Sequence, residues 1–88
     1  MNIKYSPHFI AQYKKLVKKN KRLEGLIEER IKLFISDKTN PSLHLHKLQG
    51  NLASDWSISI ESNMRIILTY FDENMYFVDI GSHDEVYK

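Results

Sequence analysis

The sequence has no cysteine, which excludes disulfide staples and thiolate metal sites. Its three glycines are scattered and form no glycine-rich phosphate loop. Neither a Gly-x-Ser-x-Gly elbow nor a His-Glu-x-x-His helix occurs. No apolar run approaches the roughly 20 residues of a membrane-spanning helix, and the opening "MNIKYSPHFI" lacks a signal-peptide pattern. The expectation is a soluble intracellular domain with no membrane partner. Repeats and low-complexity tracts are missing too. The acids Asp55, Asp72, Glu73 and Asp79 are scattered over predicted strands and turns and suggest no paired-carboxylate site.

The 88 residues that remain to be explained are 42% hydrophobic, with four Phe, five Tyr and one Trp. That is enough apolar surface for one modest core, so residues 1–88 are expected to be a single domain. The net charge is only +2, but it is unevenly spread. Residues 1–38 hold ten Lys/Arg against four Asp/Glu; residues 39–88 hold three against seven. Lys14, Lys15, Lys18, Lys19, Lys21 and Arg22 fall in one short stretch, "KKLVKKNKR". Such a cluster more commonly marks a solvated helix face, and it also permits attraction of nucleic acid or an acidic protein.

Periodicity orders the chain. "NIKYS" alternates as a short strand does. Ser6-Pro7 offers a capping hydroxyl followed by proline at the first helical position. Phe9, Tyr13, Leu16 and Val17 then recur at helical spacing, within a basic helix read over 9–22. Leu23, Leu26, Ile27, Ile31, Phe34 and Ile35 build a second stripe, and the pair reads as a helical hairpin with a short basic turn. Asn40-Pro41 discourages further helix. "LHLHKLQGN" is expected to run extended and to turn at Gly50-Asn51.

From there the period falls to two. Three strands follow: "DWSISIE" (55–61), "MRIILTYF" (64–71) and "MYFVDI" (75–80), joined by "SN" and "DEN" as an antiparallel meander. The fold class is therefore α+β: an N-terminal strand and helical hairpin packed on an antiparallel sheet.

This layout places Arg65, at the start of one strand, at the same end of the sheet as His83, just after the next. Tyr87 follows, while His44, His46 and Lys47 precede the meander. Metal-free cleavage of an RNA phosphodiester needs a base for the 2′-hydroxyl, an acid for the leaving 5′-oxygen and a cation for the phosphate. Histidine suits either proton-transfer role, and the planar guanidinium of arginine matches phosphate oxygens. Tyrosine can hydrogen-bond the phosphate or stack on a base. Each residue also has an ordinary reading: Arg65 as the ion-pair partner of Glu61 or Glu85, His83 as a turn residue, Tyr87 as a plug over the sheet, and His8 as structural or exposed. His44 and His46 would share one side of an extended segment, but no third metal ligand is evident. No metal and no cofactor are expected.

Taken together, "LHKLQG", "DWSISIE", "MRIILTY" and the ending "GSHDEVY" resemble, in this order, the RelE/ParE superfamily of bacterial toxins over nearly the whole chain. The resemblance implies the toxin of a type II toxin–antitoxin system. RelE-like members cleave messenger RNA on the ribosome without a metal; ParE-like relatives share the fold but inhibit DNA gyrase. By position, Arg65 inherits the phosphate-stabilising role, and His83 and Tyr87 match the terminal histidine and aromatic. In branches with His-x-Leu-x-Gly before the meander, that first histidine is catalytic, and His46 matches it. RelE carries two lysines where this chain has Ser57 and Ser59, so the likeness is closer to the histidine-using branch typified by YafQ. That branch has an arginine shortly before its last histidine, where this chain has Asp79. The implied partners are a cognate antitoxin, the ribosome and messenger RNA. Lys47 and the basic cluster would then meet RNA phosphates. The alternative reading is a gyrase inhibitor or a non-catalytic, antitoxin-binding member of the same fold.

Overall fold

The computed structural model describes residues 2–48, 55–61, 63–82 and 86. The elements run β1 (Asn2–Tyr5), α1 (Pro7–Lys19), α2 (Arg22–Ser36), a 3-10 turn (Pro41–Leu43), β2 (His46–Lys47), β3 (Asp55–Glu61), β4 (Met64–Phe71) and β5 (Asn74–Ser82). They form one five-stranded sheet in the order β1-β5-β4-β3-β2. The α+β class stands, with one refinement: β1 joins β5 in parallel, Tyr5 opposite Phe77, and the remaining pairs are antiparallel. Among the described residues no helix is long and apolar enough to cross a membrane.

Local chemistry explains the boundaries. Ser6 Oγ accepts the Phe9 N–H at 3.0 Å and donates to the Val78 carbonyl at 3.1 Å, with Pro7 at the first helical position. Lys18 and Lys19 close α1 at its negative end. The chain turns at Asn20-Lys21, where the Asn20 side chain accepts the Arg22 N–H at 3.1 Å. The basic helix thus ends at Lys19 rather than at 22, and Arg22 opens α2. Nor is "LHLHKLQGN" extended from its start. Asn40 caps the 3-10 turn, and His44 takes a left-handed backbone (φ 48°) before the two-residue β2. The expected turn at Gly50-Asn51 lies outside the described residues.

The β4–β5 hairpin closes through Asp72 and Glu73, both at positive φ (51° and 66°), the twist that a two-residue hairpin loop demands. Asn74 consequently belongs to β5. The Ile67↔Asp79 and Leu68↔Phe77 pairs leave Val78 as an extra residue, a bulge that keeps both Phe77 and Ile80 on the helix side.

That side holds the core: Phe9, Leu23, Ile27, Phe34 and Leu43 against Ile58, Ile60, Ile66, Leu68, Met75, Phe77 and Ile80. Fully buried Phe77 makes edge contacts with Tyr5 (5.4 Å), Phe9 (5.8 Å) and Phe34 (5.9 Å), joining β1, α1 and α2 around one ring. The opposite face carries a second, smaller cluster of Leu48, Ile67 and Val86, with Val78 beside it.

Candidate active site

Strand alternation assigns the chemistry-bearing residues to the face turned away from the helices. Register pairs His46 with Ser57, Ser57 with Ile67, Ser59 with Arg65, and Arg65 with Gly81. Because Ile58, Ile60, Ile66 and Ile80 point to the core, Ser57, Ser59, Arg65 and His46 share the open face. From these pairings and ordinary strand spacing, the Cα atoms of His46 and Arg65 are about 12 Å apart.

His46 is held by both ring nitrogens. Nδ1 lies 3.0 Å from the His44 carbonyl oxygen, which can only accept, so Nδ1 carries the proton. Nε2 is then the basic nitrogen, and the Ser57 hydroxyl donates to it at 3.3 Å. Ser57 is fully buried, whereas His46 is exposed. The result is an exposed imidazole with a fixed tautomer, whose one lone pair accepts from the Ser57 hydroxyl.

Arg65 lies opposite Ser59 in the register, with a small side chain as its cross-strand neighbour. Its Nη1 atom is buried and without a hydrogen-bond partner. A buried donor left unmade costs about 1–3 kcal/mol, and more when charged, so this atom is suited to an acceptor supplied by a ligand. Glu61 does not serve as its expected ion-pair partner. The Glu61 carboxylate takes the Arg22 guanidinium in both arms, at 3.1 and 3.3 Å, and this bonding raises the Arg22 pKa further. Glu85 lies outside the described residues, as do His83 and Tyr87. Val86, however, is buried against Leu48 and Ile67, on the same face as Arg65 and His46.

The other predicted positions lie elsewhere. Lys14, Lys15, Lys18 and Lys19 project from α1, on the helix side of the sheet, and Lys21 sits in the turn after it, all exposed. Arg22 is engaged by Glu61. Lys47 is exposed and paired with Trp56, so alternation turns it away from the His46 face. His8 donates through Nε2 to Asp79 at 3.0 Å, an exposed pair that occupies the carboxylate at the site of the missing arginine. Among the described residues no group of three or more His, Cys, Asp or Glu could hold a metal ion.

The family model for the YafQ toxin, a bacterial toxin of type II toxin–antitoxin systems, matches residues 1–88. The chain belongs to the YafQ toxin family. Solved structures share its fold at low identity. YafQ from E. coli strain BL21(DE3) superposes with a TM-score of 0.82 at 19% identity, covering 99% of this chain and 98% of that one. YafQ in the E. coli DinJ-YafQ complex gives 0.78 at 20% identity, with the same coverage. A metal-bound toxin from Helicobacter pylori gives 0.81 at 21% identity, covering 99% of each chain. A comparison with curated protein sequences returned no match.

Sequence reasoning about this YafQ-family chain missed Arg30. It projects from α2, where its Nη1 donates to Ser42 Oγ at 3.0 Å, and its Nε atom is buried without a partner. The only sequence signal was weak: an arginine interrupting the apolar spacing of α2, twelve residues before a capped serine.

Proposed function

We propose that this YafQ-family toxin is a ribosome-dependent messenger RNA endoribonuclease that works by metal-independent acid–base catalysis. The observation that carries the reading is the buried, unpartnered Arg65 Nη1 on the same sheet face as a His46 held with Nε2 basic. In this scheme the substrate 2′-hydroxyl replaces the Ser57 hydroxyl at His46 Nε2, which takes its proton, and the 2′-oxygen attacks the adjacent phosphorus. Arg65 binds the charge that builds on the phosphate oxygens. The bond to the 5′-oxygen breaks, and His83 donates the proton that this leaving group needs; a 2′,3′-cyclic phosphate remains. Tyr87 contacts the phosphate or stacks on a base. No cofactor enters these steps.

DinJ binds YafQ in the E. coli complex, so the partner here is a cognate antitoxin in a hetero-oligomer, masking the open face or the lysines of α1. Lys14, Lys15, Lys18, Lys19 and Lys21, with Lys47, then steer ribosomal RNA rather than take part in cleavage, and Arg22 contributes less because Glu61 neutralises it. The site of action is the cytoplasm.

The test is induced expression followed by mapping of transcript 5′ ends. Cuts at codon positions on translated messages are expected from the natural chain and strongly reduced in Arg65→Met, His46→Gln and His83→Ala variants that still fold. Intact messages with altered DNA supercoiling would overturn the scheme in favour of gyrase inhibition.

A further inference from the structure

A pocket of about 420 Å³ opens at the edge of β3 beyond the end of its short pairing with β2. Arg30, Ser42, His44, Ser59, Glu61 and Arg65 line it. Among the described residues its one carboxylate is Glu61, already engaged in both arms by Arg22. Two guanidiniums therefore face the same space with no free acid among the described residues to balance them, and each keeps a buried nitrogen without a partner: Arg30 Nε and Arg65 Nη1.

The ordinary role for Arg30 is a clasp, since its Nη1 holds the Ser42 hydroxyl and approaches the Ser42 carbonyl at 3.5 Å. That clasp uses one nitrogen of the fork and leaves Nε unmatched. Around it, the left-handed backbone of His44 fixes a third nitrogen-bearing side chain at the pocket rim. A tetrahedral anion with several acceptor oxygens is the chemical class that fits two planar forks; the Ser42 hydroxyl is already spent, donating to Asn40 Oδ1 at 2.7 Å. The pocket is continuous with the Arg65 site, and its volume suits a nucleotide-sized group.

We propose that Arg30, with His44 at the rim, forms a second anion subsite that holds the RNA phosphodiester next to the one bound by Arg65. It rests on the ribonuclease reading of the Arg65 face and adds to it the path of the strand, across Ser59 to the β3 edge. Arg30 is a binding residue in this arrangement and takes no part in proton transfer.

The probe is a labelled 2′-deoxy trinucleotide, which lacks the attacking hydroxyl and stays intact, compared with one in which a single phosphodiester is replaced by a neutral methylphosphonate. Affinity is read by fluorescence anisotropy on the full chain, with a thermal melt for each variant. The natural chain is expected to favour the fully charged trinucleotide. Arg30→Met keeps the apolar stem; at about 50 mM salt it should weaken binding roughly tenfold, erase that preference, and flatten the salt slope by about 0.7. Ser42→Ala breaks the clasp but keeps the charge, and should bind within about twofold of the natural chain.

The subsite is overturned if Arg30→Met binds as the natural chain does, or if Ser42→Ala loses affinity as much as Arg30→Met while both melt early. It is also overturned if Arg30→Met keeps the trinucleotide and loses only an Asp/Glu-rich peptide, which would assign the pocket to a protein partner. The two readings can fail separately. Arg30-dependent binding by a toxin that leaves transcripts uncut would refute the nuclease alone, and normal cutting with Arg30-independent binding would refute the subsite alone.

Discussion

The two faces of the sheet use the same strands for different ends. Toward the helices, β3, β4 and β5 contribute large aliphatic and aromatic side chains that close around Phe77 with almost no polar atoms among them. Away from the helices, the same strands present Ser57, Ser59 and Arg65, and among the described residues their buried apolar cover is Leu48, Ile67 and Val86. A strand's period of two makes this division possible: alternate residues answer to packing, and those between them are free to answer to chemistry. Folding energy is concentrated on one side, and unmet hydrogen-bonding capacity, such as Arg65 Nη1, is retained on the other.

Substitutions can break this contrast. The largest effect should come from Phe77→Ala, which empties the centre of the core; urea unfolding is expected to show a loss of about 3–5 kcal/mol, enough to unfold most of a domain this small. Arg65→Met should do the opposite. Cleavage of translated message falls on the order of 10²-fold, while the unfolding midpoint holds or rises because a buried unpartnered donor is gone. A midpoint that collapses with Arg65→Met would mean that the open face is structural after all. Val86→Ala tests the small cluster between these extremes, with about 1 kcal/mol expected in the same urea assay. A loss as large as that of Phe77→Ala would erase the distinction between the faces.

The smallest effect concerns Tyr13 on the helix side. Burial, then Glu24 and Glu28, raise its pKa above the usual value of about 10. The folded chain thus holds this proton more tightly than the unfolded chain. The associated stability is complete below pH 10 and is lost as pH climbs past it. Tyr13→Phe should flatten the alkaline side of the melting-temperature profile and leave neutral pH unchanged.

The element order was legible because apolar spacing changes from helical to alternating after Pro41, and Trp56, Ile58 and Ile60 make the new period plain. The parallel docking of β1 was not, because four exposed or half-buried residues carry no mark of a partner 72 positions away. His44 carries no glycine to announce its left-handed backbone, and the Val78 bulge hides inside an ordinary alternation. On the site side, Arg65 and His46 could be singled out by residue type and order, and their common face follows from register alone. The partner of Glu61 could not be chosen that way: Arg65 is its sequence neighbour, yet Arg22, 39 residues distant, reaches it with better geometry.

One hydroxyl couples the two ends of the chain. Ser6 both starts α1 and grips the Val78 carbonyl where β5 bends, so the first helical turn cannot fray without loosening that bend. Amide protons of Phe9 and of the strand beside Val78 should therefore exchange with deuterium as one unit, at one rate, and Ser6→Ala should speed both together.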